Sequence, residues 1–264
     1  MSPFTYEVLA VRYATRLTRK SEVYYRYHSY GEPDAELRMD YFFWVLRSDE
    51  GTILVDTGFS PQAGDRRGRT CLCEPLDALR RLGIEPVSVS LIVLTHLHYD
   101  HTGNLHAFPN ARLVVQQREL EFWTGPDASR FQFAGIVEPD EIAFVAEAGR
   151  TGRLRVLDGD EEIAPGITAL DVGGHSPGQQ VTVVNGDGGP VVLASDAIHF
   201  YEELDLDRPF DVVVDLAEMY AGYDVLRKLS AEPGAVLVAG HDPLVMDRFP
   251  ALAGTAPGLA VRVG

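Results

Sequence analysis

Between Thr95 and Asn104 the chain reads Thr95-His96-Leu97-His98-Tyr99-Asp100-His101-Thr102-Gly103-Asn104, placing three imidazoles and a carboxylate within six positions. A lone histidine is commonly a packing or surface residue, but this cluster is hard to explain that way. Side chains alternate along an extended chain, so His96 and His98 point the same way, and Asp100 and His101 follow where the chain must bend towards a helix. Neutral imidazole and carboxylate are the donors that borderline divalent metals such as zinc prefer. Four of them are too many for one open site but suit two adjacent ones, so the stretch reads as half of a dinuclear metal centre.

The elements that must position this cluster are legible as strands. Val89-Ser90-Leu91-Ile92-Val93-Leu94 is a short apolar, β-branched run whose C-terminal end delivers the histidines. Ile53-Leu54-Val55 ends at Asp56-Thr57-Gly58, where Asp56 either receives the other N–H of a metal-bound imidazole or caps the turn. Three further β segments end in donors. His175 sits in Asp171-Val172-Gly173-Gly174-His175-Ser176-Pro177-Gly178, where glycines let backbone approach a metal closely. Asp196 follows Ala194-Ser195, and His241 follows Ala239-Gly240. Each alone is an ordinary turn residue or cap; together they supply the missing ligands.

Around these runs the pattern predicts a strand over Tyr6 to Tyr13 and a hairpin of Tyr41 to Leu46 with Thr52 to Val55 about Ser48-Asp49-Glu50-Gly51. Thr15 to Arg38 reads as a polar loop carrying Tyr24, Tyr25, Tyr27 and Tyr30, either covering a pocket or subunit interface or packing on itself. Residues 60 to 73 read as a mobile loop, and Leu76 to Leu82 as a helix stopped by Gly83. A short helix over Leu105 to Phe108, a strand over Arg112 to Gln116 and a helix from Glu119 follow. Thr124 to Gly152 reads as an insertion bordering the substrate site. Strands are expected over Arg153 to Leu157, Ile167 to Val172, Gln180 to Val184 and Val191 to Ala194, a helix over Tyr220 to Leu229, and a final strand over Ala235 to Ala239. Strands and helices alternate in both halves, which suggests an α/β chain of two packed sheets with helices outside, forming one domain over 1–264.

With 264 residues and 45% hydrophobic content the chain can bury a large core. Its net charge of −16 repels phosphate backbones and anionic membrane surfaces, so a small-molecule substrate is expected, with no nucleic-acid or membrane partner. Cys71 and Cys73 are too close for an ordinary structural disulfide and favour a reduced setting. No basic segment followed by a long apolar run opens the chain, and no run approaches the roughly 20 apolar residues of a membrane helix. A cytoplasmic protein is the expectation.

The order His96-x-His98-x-Asp100-His101, then His175, Asp196 and His241, resembles the metallo-β-lactamase superfamily, and the Leu54-Val55-Asp56-Thr57-Gly58 strand end is typical of it. The resemblance covers nearly the whole chain. It implies a four-layer αβ/βα sandwich with the metal site at one edge between the sheets. It also implies that His96, His98 and His175 hold one metal, Asp100, His101 and His241 the other, and that Asp196 bridges. Asp196 rather than Cys argues against the cysteine-using lactamases, and His98 rather than Glu against the flavodiiron pattern. The acidic surface and modest length argue against the nucleases that share the motif. The implied activity is that of the N-acyl-homoserine lactonase-like branch: two divalent metals, zinc first with manganese, cobalt or iron as alternatives, share a hydroxide that opens a lactone. The alternatives are a glyoxalase II-like thioesterase and a mononuclear iron persulfide dioxygenase-like oxidoreductase. Lactonases of this type include monomers and dimers.

Two departures stand out. Where the branch carries Tyr three residues after the bridging Asp, this chain has His199, followed by Phe200 and Tyr201; and Val172-Gly173-Gly174 replaces the Thr-Pro-Gly that commonly precedes the third His ligand. Either His199 takes the Tyr's hydrogen bond to the substrate carbonyl, Tyr201 reaches back to it, or His199 packs in its loop. Asp100 and Asp196 are the candidates to hold and shuttle the proton. Tyr24, Tyr25, Tyr27, Phe131, Phe133 and Phe200 either line an apolar pocket or are ordinary packing.

Overall fold

Apolar alternation sets the inner faces of the first two strands, but backbone pairing carries them further than their composition suggests. The computed structural model describes residues 4–264 and shows β1 (Glu7–Arg19) paired antiparallel with β2 (Glu36–Ser48), from Glu7↔Arg47 to Arg19↔Glu36. The polar loop expected over Thr15 to Arg38 is therefore strand at both of its ends, 15–19 and 36–38, with the connection between them at 20–35. Each strand satisfies the other's N–H and C=O groups whatever the side chains, and polar composition does not prevent that. The connecting segment buries Tyr24 and Tyr27.

The hairpin expected next is present, with β3 (Gly51–Val55) returning along β2 through Ser48↔Gly51. There follow β4 (Thr70–Cys71), β5 (Val89–Val93), β6 (Arg112–Gln116) and β7 (Leu154–Leu157). The second half contributes β8 (Glu161–Ala164), β9 (Ile167–Asp171), β10 (Gln180–Gly186), β11 (Gly189–Ser195) and β12 (Val236–Ala239). β12 is not the last strand: β13 (Ala260–Arg262) returns to pair with β1 at the edge of the first sheet.

The first sheet runs β13-β1-β2-β3-β5-β6-β7 with β4 on β1, and the second runs β12-β11-β10-β9-β8. One apolar cluster joins residues of both, among them Val8, Trp44, Leu54, Ile92, Val181, Leu193 and Val238. The helices Gln117–Thr124 and Pro139–Arg150 lie against β6 and β7, and Leu216–Ser230 lies against β11 and β12. The result is the four-layer αβ/βα sandwich. No helix among the described residues is long and apolar enough to cross a membrane.

Two segments, the mobile loop expected over 60 to 73 and the insertion expected over Thr124 to Gly152, contain helices. Residues 61–66 form a helix, Pro61–Arg66, because Ser60 accepts a hydrogen bond from the Ala63 N–H and Pro61 fixes the first turn. Arg66 and Arg67 then grip Glu138 at 2.6 and 2.5 Å. The stretch from Thr124 to Gly152 is helical, with Pro139–Arg150 as its main element. Leu216–Ser230 starts four residues before its apolar spacing becomes visible, since Asp215 caps the Ala217 and Glu218 N–H groups.

Glu141, on the helix Pro139–Arg150, accepts a hydrogen bond from Thr102 at 2.7 Å, and burial pushes its carboxyl up to about 7. A carboxyl raised above its unfolded value favours folding fully below the unfolded pKa, and that contribution is lost as pH rises through about 7. Glu141→Gln is therefore expected to leave stability unchanged near pH 4.5 and to stabilise by about 1–2 kcal/mol above pH 7.5, after allowing for partial exposure. Denaturant melts at the two pH values check this; equal shifts at both would refute it.

Candidate metal centre

The donors meet because parallel neighbours end side by side. β3 and β5 are parallel, with Val55↔Val93 in register, so Asp56 lies beside Thr95. Asp56 accepts hydrogen bonds from the Thr95 N–H at 2.9 Å and the Thr95 hydroxyl at 2.7 Å. β11 and β12 are parallel in the other sheet, with Ser195↔Ala239, so Asp196 lies beside His241. Asp56 and Ser195 hold the left-handed conformation at φ 61° and 47°, unusual for residues with a Cβ, and both stand where a strand must turn a side chain into the site. The Thr95 and Ser195 hydroxyls, 2.8 Å apart, tie the two sheets together there.

The His175 loop is held from beneath. Gly174 has φ +87°, and a Cβ on it would stand 2.5 Å from the Met219 backbone, so only glycine lets this turn close on the helix Leu216–Ser230. The fully buried Glu119 carboxylate joins this loop to the first motif. It accepts from Leu97 N–H at 2.8 Å, Trp123 Nε1 at 2.7 Å, the Ser176 hydroxyl at 2.7 Å and Gly178 N–H at 2.8 Å. Burial raises the Glu119 pKa, and these donors pull it back.

At the centre is Asp196. Its Oδ2 lies 3.4 Å from His175 Nε2, 3.9 Å from His96 Nε2 and 3.0 Å from His199 Nε2. Its Oδ1 lies 3.3 Å from His101 Nε2 and 3.1 Å from His241 Nε2. Asp100 faces His101 Nε2 at 3.8 Å and His241 Nε2 at 4.0 Å. The carboxylate thus turns one oxygen to each of two donor sets, and the groupings His96/His98/His175 and Asp100/His101/His241 each converge tightly enough to hold a cation. Six of the chain's eight histidines gather here, far beyond chance packing.

The donor chemistry fits divalent metal. His175 Nδ1 faces the Val212 carbonyl at 2.8 Å and His241 Nδ1 faces the Asp40 carbonyl at 2.8 Å. A carbonyl only accepts, so Nδ1 carries the hydrogen and Nε2 presents a lone pair. His101 Nδ1 is fixed in the same way by Asp56 at 2.7 Å. The Nε2 atoms of His96, His98, His101 and His241 are buried without a hydrogen-bond partner. Orphaned buried nitrogens are costly, and a cation in each donor set would satisfy those of His96, His101 and His241, while His98 turns Nδ1 towards its set, 2.9 Å from His175 Nε2. Burial and the neighbouring imidazoles hold the His96 and His175 pKa well below the ordinary histidine value, and burial takes His98 to about 3, so all three are neutral and ready to ligate. Burial opposes charge on His101 and Asp196 too, but Asp196, Asp56 and Asp100 raise the His101 pKa, and His241, His101 and His199 lower that of Asp196.

The two residues offered for the missing Tyr separate. His199 lies in the site, its ring stacked on Phe210 at 3.5 Å, with Nδ1 3.4 Å from Glu203. Burial alone would lower its pKa, yet Asp196 and Glu203 lift it to about 9. Tyr201 is turned away: its hydroxyl donates to the Leu237 carbonyl at 3.1 Å, outside the cavity over the histidines, because the helix Tyr201–Leu206 starts at this residue and directs it towards β12. The aromatic residues left open between pocket lining and packing do not gather over the histidines. Tyr24, Tyr27 and Phe133 pack on their neighbours, and Phe131 is 93% exposed. Tyr24 and Phe200 border a separate groove of about 560 Å³. The cavity over the histidines takes instead Tyr41, Tyr99, Phe210, Arg16 and Arg69. Neither these nor Glu119 has a local sequence signal: an isolated Arg on a strand or Glu in a helix is ordinary surface chemistry until the fold encloses it.

Residues 40–241 match the metallo-beta-lactamase superfamily. The N-acyl homoserine lactonase AttM of Azorhizobium caulinodans is 32% identical over 237 residues, which cover 82% of this chain and 85% of that protein. An N-acyl homoserine lactonase from a Bacillus species is 27% identical over 225 residues, covering 80% and 84%. Among solved structures, one described as a quorum-quenching N-acyl homoserine lactone lactonase superposes with a TM-score of 0.75 at 25% identity, over 92% of this chain and 95% of that one.

Proposed function

The chain belongs to the metallo-β-lactamase superfamily, and from that premise we infer that it is a metal-dependent hydrolase that opens lactones. The observation that carries this reading is the double donor set around Asp196, with buried, unpartnered imidazole nitrogens on both of its sides. We assign His96, His98 and His175 to one cation, Asp100, His101 and His241 to a second, and Asp196 to both, with zinc the first choice for this donor chemistry. Bound there, the two cations would supply a nucleophilic water of pKa about 7 and polarise the ester carbonyl.

The chain's own residues do the rest. Asp56 holds the His101 ring in its ligating tautomer. Asp100, at the cavity wall, is placed to take the proton released as the ester is attacked and to return it to the departing alkoxide. His199 lines the same cavity, with Nε2 3.0 Å from Asp196 Oδ2; we assign it the hydrogen bond to the substrate oxygen that Tyr gives in related lactonases. No serine or cysteine nucleophile is needed.

Elemental analysis of the purified protein, followed by a panel of lactones and thioesters on the same sample, tests the reading. Two divalent metals per chain with lactone opening are the expected result. A single iron with oxygen uptake, or thioester cleavage without lactone cleavage, would overturn it. The oxidoreductase alternative has no use for the complete second donor set, and the lactonase relatives favour lactones over thioesters.

A further inference from the structure

The cavity over the histidines measures about 160 Å³, well under the roughly 300–1,000 Å³ of sites that take drug-sized ligands. One wall is built by the long β1–β2 pair. Arg16 lies opposite Met39 and Ala14 opposite Tyr41, and because these positions are two apart, both pairs face the same side of the sheet. Arg69, just before β4, closes the wall from the side.

The two arginines differ from most others in the chain. Arg12, Arg47, Arg67, Arg118 and Arg208 all spend their guanidinium groups on protein carboxylates. Among the described residues Arg16 makes no hydrogen bond or ion pair, and its Nε is buried without a partner. Glu22 borders the same cavity, yet its carboxylate accepts from the Thr18 hydroxyl at 2.6 Å rather than from Arg16. Arg69 donates through Nε to the Tyr99 hydroxyl at 3.0 Å and through Nη1 to the Arg67 carbonyl at 2.7 Å, leaving Nη2 unspent. A guanidinium N–H taken from water without an acceptor is costly, and its planar fork matches a carboxylate. With two divalent cations bound beneath to offset Asp100 and Asp196, Arg16 and Arg69 would outweigh Glu22 and make this wall a cationic cup in an otherwise acidic protein.

We propose that the part of the substrate that does not react carries a carboxylate seated on Arg16 and Arg69, making the preferred substrate a compact acidic lactone rather than one with a long neutral tail. This rests on the lactone-opening reading above. The bulk charge of −16 slows approach of such an anion but does not screen it once inside the cup.

The test compares two five-membered rings, the lactone of 2-hydroxyglutarate and its primary amide, on metal-loaded enzyme. The carboxylate form is expected to have a kcat/KM roughly 10- to 100-fold higher, carried mainly by KM. Arg16→Gln should remove most of that preference, and Arg16→Lys should restore part of it. Equal or faster opening of the amide, or a preference unchanged in Arg16→Gln, would overturn the proposal. Calorimetric binding of ring-opened 2-hydroxyglutarate separates the two claims. If neither ring opens but this diacid binds with an affinity that falls at least tenfold in Arg16→Gln, the carboxylate site stands and the lactone reading fails. If the diacid binds both proteins alike, or neither, the carboxylate site falls. Thermal melts of each variant exclude misfolding as the cause.

Discussion

His101→Ala is expected to leave the protein with one divalent metal in place of two and to reduce lactone turnover by about 10³-fold, or ~4 kcal/mol in the barrier. The size follows from position. His101 Nε2 stands 3.3 Å from Asp196 Oδ1 and 3.8 Å from Asp100, while Nδ1 is held by Asp56 at 2.7 Å. Removing the ring takes away a ligand and leaves three carboxylates around the vacated space without the group that offset their charge. The His96/His98/His175 set does not include this residue and should still bind its cation. Metal content by elemental analysis and turnover on the same sample check both halves. Two metals and undiminished turnover in the variant would sink the assignment of this histidine and the two-metal reading with it.

Glu119→Ala is expected to destabilise the metal-free protein by about 3–5 kcal/mol, because a buried, fully bonded carboxylate is removed and its donors are stranded. Leu97 N–H, Gly178 N–H, Trp123 Nε1 and the Ser176 hydroxyl all lose their acceptor at once. For a chain of this size the melting temperature should fall by roughly 6–20 °C. The effect should reach the site as well, since Leu97 separates His96 from His98 and Ser176 follows His175. Metal affinity is therefore expected to drop even though Glu119 touches no ligand. A denaturant melt within about 0.5 kcal/mol of the parent protein would show that Glu119 is not the link between the two loops.

Much of the fold was visible locally. The strand ahead of His96, the hairpin at Ser48–Gly51 and the strands leading to Asp196 and His241 are short apolar runs bounded by turn residues, and each forms as its pattern suggests. What composition hid was pairing and capping. The polar ends of β1 and β2 join because each strand supplies the other's hydrogen bonds. The segment after Ser60 becomes helix because one hydroxyl and one proline set its first turn, and a loop rich in Gly, Arg and Asp gives no periodic sign of that.

The site divides along the same line. Its donors are determined by the sequence itself: His96, His98, Asp100 and His101 need only one strand end and one turn to come together, and residue types that bind metal are rare enough in such density to be read directly. Their arrangement was decided by tertiary structure. That Asp196 gives one oxygen to each donor set depends on β11 lying parallel to β12 while the other sheet brings in β5. That Tyr201 faces away while Tyr41, from the far half of the chain, borders the cavity depends on where a helix starts and which face of β2 is turned inward. The wall of the cavity over the histidines includes Arg16 and Arg69, which look like surface charges until the sheets close. Ligand identity travels with local spacing, whereas the surroundings of a ligand come from strands that meet only when the core packs, and side-chain direction there is fixed by pairing register rather than by neighbours in sequence.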